Sequence, residues 1–152
     1  MSDTQRIRPP WWLKLTNKVI IQMSRLGISY FGGEGPVVLT VPGRKSGMPR
    51  STPVTPMTMD GKGYVVGGFR GADWVRNARA AKEVTISRGR KSERVQMVEL
   101  SADDARLLLR AYATEMPTAV GFMKRCGLVA NGRPEEFETL AGVCPVFRLD
   151  PV

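Results

Sequence analysis

The chain has 152 residues, of which 42% are hydrophobic and 24% charged, which suits one soluble domain and excludes global disorder. It contains no histidine, so a Ser-His-Asp triad, a Cys-His dyad and every His-ligated zinc or iron site are excluded at once. Its two cysteines, Cys126 and Cys144, lack Cys-x-x-Cys spacing; they read as reduced thiols of a cytoplasmic protein, and no metal site is expected. The net charge of +9 is uneven: residues 1–43 carry +3, residues 44–94 carry +8 and residues 95–152 carry −2. A local basic field predicts an anionic partner, whether nucleic acid, an anionic membrane or a multiply charged small molecule.

In chain order, Arg6 and Arg8 are followed by Pro9-Pro10 rather than by the apolar run of a signal peptide. No apolar stretch approaches the ~20 residues that a membrane helix needs. An amphipathic helix is expected over 10–27. Trp12, Leu15, Val19, Met23 and Leu26 recur on one face, Lys14, Lys18 and Arg25 line the other, and Gly27 provides the stop. After a loop at Gly32–Pro36, strands are expected over Val37–Val41, Ser51–Met59 and Tyr64–Phe69, the last two joined by a turn at Asp60–Gly63. Asp73 is expected to cap a short helix running to Ala81. Glu83–Arg88 and Ser92–Leu100 read as a hairpin around Gly89, and Ser101 with Asp104 as a capping pair opening a helix to about Ala113. Two short helical pieces within 114–142 and a strand at Cys144–Leu149 complete the chain. About six mostly antiparallel strands with outer helices make an α+β, mainly β fold: one small, partly open barrel over residues 1–152.

The most informative segment is Pro42-Gly43-Arg44-Lys45-Ser46-Gly47-Met48-Pro49-Arg50, which holds three cations, a hydroxyl and two glycines without an acid. Such a turn can cradle an anion with its amides while the arginines fork onto phosphate oxygens. Spacing and context exclude a Walker A loop. A plain basic hairpin loop fits the composition equally well.

This segment resembles that of the deazaflavin-dependent nitroreductase and quinone reductase family, users of coenzyme F-420. Members show a strand, Gly-[Arg/Ala]-Lys-Ser-Gly-x-x-Arg, then a strand opening on x-x-Pro-[Leu/Val]; Leu39 to Val54 follows that pattern nearly residue for residue. Tyr64–Phe69, the Trp-x-x-Asn of Trp74-Val75-Arg76-Asn77 and the closing Cys144–Leu149 are similar to further family segments. The resemblance implies a flavin-type split β-barrel with F-420 as hydride donor. It places the coenzyme's phosphate region at Arg44, Lys45, Ser46, Gly47 and Arg50. The ring would lie against Thr52, Pro53, Val54, Gly67 and Gly68, and Trp74 and Asn77 would close the site. For Trp74 a core role stays open, and for Gly67-Gly68 a strand bulge.

The family's Gly-Gly-Ala-Pro-x-x-Pro insert is shortened here to Arg70-Gly71-Ala72-Asp73. Its tyrosine-rich stretch is replaced by Tyr112 to Gly132, so the substrate does not carry over. The cofactor brings the hydride chemistry, which needs no histidine. The expected acceptors are small and apolar: quinones, enones and similar activated double bonds. Trp11, Trp12 and Tyr112 are candidates for the acceptor pocket, and Tyr112 also for the proton source. Three alternatives stay open: an FMN-dependent oxidoreductase on the same barrel, a non-enzymatic nucleic-acid-binding module, and a simpler anion-binding module. A nucleic-acid partner is not expected, because the basic segment offers only Tyr64, Phe69 and Trp74 as aromatics. The N-terminal helix either packs on the barrel or touches a membrane surface peripherally; monomer and homodimer are both open.

Overall fold

The computed structural model describes residues 37–67 and 73–152, with helical positions 12, 15, 17–19 and 21. Those six positions fall within the helix expected over 10–27. The rest of that helix, Trp11 included, lies outside the described residues, as do Gly68, Phe69 and Arg70 to Ala72. The elements in chain order are β1 (Val37–Pro42), β2 (Pro49–Val54), β3 (Met57–Met59), β4 (Lys62–Val66), α1 (Asp73–Ala81), β5 (Glu83–Arg88), β6 (Lys91–Glu99), α2 (Ala102–Glu115), α3 (Pro117–Arg125), α4 (Pro134–Glu138) and β7 (Val146–Pro151).

All seven strands form one antiparallel sheet in the order β2-β1-β5-β6-β7-β4-β3. Seven replace the expected six because the run Ser51–Met59 breaks at Thr55-Pro56. Pro56 has no amide hydrogen for a ladder, and its ring restricts Thr55. The chain changes partner there: β2 pairs with β1, and β3 with β4. Pro49 and Pro53 are tolerated in β2 because it is an edge strand. Val54 and Met57 are three Cα steps apart, at most about 11 Å. The two edges of the sheet are therefore tied together, and the sheet curls into a half-barrel.

The local expectations otherwise shift by one to three residues. The third strand is Lys62–Val66, entered through left-handed Asp60 and Gly61, and the final strand begins at Val146. Gly89, at φ 58°, turns the β5–β6 hairpin. Ser101 caps α2, its hydroxyl accepting from the Asp104 amide at 3.2 Å. Asp73, expected as a cap, stands inside the first turn of α1 instead.

Two apolar cores lie on either side of β7, whose successive residues face opposite ways. Phe147 joins Val37, Leu39, Val41, Val84, Ile86, Val95 and Met97 inside the barrel, which α1 closes with Val75 and Ala78. Val146 joins Met57 and Tyr64 under the helical layer, against Leu108, Leu109, Tyr112, Met123 and Phe137. Among the described residues no helix is long and apolar enough to cross a membrane.

Candidate functional site

The basic segment forms a compact loop between β1 and β2. Its base is the Pro42–Pro49 pair. The Gly43 amide donates to the Met48 carbonyl and the Gly47 amide to the Gly43 carbonyl, both at 2.8 Å. A Cβ on Gly43 would stand 3.1 Å from Ser46 Oγ and 3.3 Å from the Met48 oxygen, so a side chain there would press the turn open by a few tenths of an ångström. Gly47 supplies the left-handed residue, at φ +73°. Ser46 Oγ accepts from the Met48 amide at 3.2 Å, which leaves its own O–H to donate outward. The amides of Lys45 and Ser46 at the tip donate to no group among the described residues. Lys45 and Arg50 are exposed. Two free amides, a hydroxyl and two solvated cations stand within one short segment that holds no acid, the donor types a phosphate group requires. The residues present therefore fit the phosphate region of a phosphorylated coenzyme.

The loop is fastened to α1. Asn77 Oδ1 accepts from the Arg44 amide at 3.1 Å and from Arg44 Nη1 at 2.8 Å. Asp73, one turn earlier on the same helix face, lies 3.6 Å from Arg44 Nη2. The sequence assigned Asp73 a capping role and not this pairing with Arg44; the signal was an acid and an amide spaced i, i+4 on the helix that follows a basic loop.

From the loop, β2 carries the remaining candidates. Directly opposed residues share a face, so Arg50, Thr52 and Val54 lie on the barrel-interior side with Val41, Leu39 and Val37. Pro53 lies on the other side with Val38, next to Ser51, whose hydroxyl is 2.9 Å from that of Thr40. An open groove of about 210 Å³ beside the loop is lined by Gly47, Pro49, Thr40, Thr85, Glu83 and Arg94.

Gly67 stands at the end of β4, its amide donating to the Pro145 carbonyl at 2.8 Å. A Cβ there would meet Pro145 Cγ at 2.9 Å and Val75 Cγ2 at 3.1 Å, so packing of α1 against the 145 region already requires a glycine. Gly68 lies outside the described residues. Trp74 is half-buried, 6.0 Å from Phe147 and packed on the barrel core. Tyr112 lies in the other core, 5.8 Å from Phe137, where burial first and the nearby Cys144 second push its phenol up to about 12. Trp12 is partly exposed and meets Phe122 edge-on at 6.3 Å. The structure thus joins Arg44 to Asn77 and sets Trp74 and Val54 about one core, with Tyr112 in the other.

A second cleft, of about 180 Å³, lies between α1 and the 142–146 segment and is lined by Val75, Leu100, Cys144 and Pro145. The two-pronged Arg79–Glu99 pair, at 2.8 and 2.7 Å, also lines it. Burial pushes the Cys144 thiol up to about 11, so it stays protonated at neutral pH.

Comparison with known proteins places this arrangement. No curated protein matches the chain. Solved structures share its fold at low identity. An F420-H2 dependent reductase (FDR-A) aligns with TM-score 0.52 and 20% identity, covering 76% of this chain and 93% of its own. A domain-swapped dimer aligns at 0.55 and 21%, covering 92% and 97%. An FAD-binding protein from Mesorhizobium loti aligns at 0.51 and 13%, covering 87% and 88%. The profile of one family, F420H(2)-dependent quinone reductase, matches residues 16–125, a span that contains the basic loop and the helix that fastens it. The chain belongs to that family, and is an oxidoreductase whose coenzyme is F-420.

Proposed function

We propose that residues 1–152 act as one deazaflavin-binding domain that reduces quinones, enones and similar activated double bonds. In this reading F-420 lies with its phosphate region on Lys45, Ser46, Gly47 and Arg50, held in place through Arg44. Its ring lies against Thr52, Pro53 and Val54, with Gly67 and Gly68. The observation that carries the reading is the loop itself, whose two unengaged amides stand beside two exposed cations.

When bound in its reduced form, the coenzyme supplies a hydride. The protein's part is binding, orientation and exclusion of water. Lys45 and Arg50 neutralise the phosphate charge, and the Lys45 and Ser46 amides fix its direction. β2 is an edge strand, so the backbone groups at Thr52, Pro53 and Val54 that face away from β1 are available to the polar edge of a flat ring. Tyr112 lies in the helical core rather than the one that holds Val54, and burial pushes its phenol up to about 12, both of which speak against it as the proton source.

Lys45→Ala and Arg50→Ala should each weaken F-420 binding by about 1.5–3 kcal/mol, as expected for lost charge-assisted hydrogen bonds. Fluorescence titration with F-420 and with FMN reads this directly. Unchanged affinity in the double variant, or a preference for FMN, would overturn the reading.

The N-terminal helix is proposed to touch a membrane surface where apolar acceptors reside. In support, Trp12, Leu15 and Val19, which share one helical face, are 39%, 64% and 50% exposed. Deleting residues 1–13 should spare F-420 affinity while raising KM for apolar acceptors and reducing sedimentation with anionic liposomes. A truncated protein unchanged in both respects removes this role.

A further inference from the structure

We infer that Asn77 is a positioning residue, which sets the shape of the loop through Arg44 and does not itself touch the coenzyme. The inference rests on the proposed placement of the coenzyme's phosphate region at this loop. Asn77 is 5% exposed and is the one buried polar side chain among the described residues. A carboxamide is expensive to bury unless its hydrogen-bonding groups are used. Here the oxygen is used twice on one residue, for both the main-chain amide and the guanidinium of Arg44. Taking both fixes where the chain leaves β1 and which way it turns.

The consequence falls on the next two residues. The loop is closed within itself by two backbone hydrogen bonds, at Gly43 and Gly47. The direction of the Lys45 and Ser46 amides between them follows from where Arg44 is held. With Nη1 on Asn77 and Nη2 facing Asp73, the Arg44 guanidinium is turned toward α1 and away from a ligand at the tip. Arg44 is then an anchor, and Lys45 with Arg50 supply the cations that meet the anion. Holding the loop in its binding shape beforehand spares the ligand the ordering cost.

Amide exchange in coenzyme-free protein separates this from direct contact. Asn77→Leu should raise exchange at the Gly43 and Gly47 amides about tenfold while leaving Ile86 and Val95 at the sheet centre unchanged. Asn77→Asp, which keeps an acceptor oxygen, should restore protection. F-420 affinity should fall about tenfold in Asn77→Leu, with the salt dependence of binding unaltered because no charge is removed. In an Arg44→Met background the same substitution should cost less than it does in the wild type, because the guanidinium contact is already gone and only the main-chain amide contact is left to lose. Should Asn77→Leu fail to fold, Arg44→Met alone must loosen Gly43 and Gly47. Unchanged loop exchange in these variants, or losses of affinity that multiply in full, would overturn the inference. If wild-type protein binds no F-420, the proposed function falls, while the exchange measurements still decide the role of Asn77.

Discussion

Glu136 shows how much a single side chain organises outside the coenzyme site. Its carboxylate accepts from the amides of Ala130, Asn131 and Gly132 at 2.6, 3.0 and 2.8 Å, gathering the turn between α3 and α4 around one charge. The hydrogen bond from Ala130 is the main cause holding this carboxyl below the usual glutamate range. A carboxyl with a depressed folded-state pKa adds stability that is present above its ordinary value and is lost as pH falls through the lowered one. Protection of the three amides relative to their intrinsic exchange rates should therefore fall in acid, and Glu136→Ala should lower it about tenfold at neutral pH. Nuclear magnetic resonance exchange across a pH series checks both. No periodicity announces this cluster, because its partners are three consecutive backbone amides. The basic loop was legible for the opposite reason: glycines at 43 and 47, with cations between and after them, encode the turn and its ligand chemistry locally.

At the level of elements, what neighbours in sequence was readable and what depends on distant partners was not. The β5–β6 hairpin and the α2 start follow from a left-handed glycine and a serine cap, both written within a few residues. Ser101→Ala should cost about 0.5–2 kcal/mol, as loss of an N-cap does, read as a lowered urea midpoint with unchanged slope. The break at Thr55-Pro56 was harder to see, since Pro53 stands inside a strand while Pro56 ends one, so a proline alone does not place the break. The division of the run from Ser51 to Met59 is imposed by a change of partner, from β1 to β4, that local propensity does not contain. Trp74 and Gly67 read as site residues by motif, yet each has a packing reason in this fold: Phe147 for one, Pro145 and Val75 for the other.

Across the whole molecule, the charge of the 44–94 segment is divided rather than pooled. Arg44, Lys45 and Arg50 gather around the loop between β1 and β2. Arg88, Arg90 and Lys91 are exposed at the far end of β5, where the hairpin turns. Five residue steps along β5 put the backbones of the two groups about 17 Å apart. That exceeds twice the roughly 8 Å over which exposed charges act at physiological salt. Neutralising Arg90 and Lys91 to glutamine should therefore change F-420 affinity less than about twofold, against tenfold or more for Lys45→Ala. An isothermal titration at 0.15 M salt distinguishes a shared field from a local one.

The place of β7 in the sheet has a consequence for biosynthesis. It lies between β6 and β4, so strand pairing joins the sheet's two halves only through residues 146–151. As a nascent chain leaves the ribosome, β1, β2, β5 and β6 can pair among themselves. The β3–β4 hairpin, although translated earlier than β5, has to wait for Leu149 and Phe147 to arrive opposite Gly63 and Val65. A premature stop codon a few positions before residue 146 would remove an interior strand and leave two open sheet edges, each able to pair with another chain.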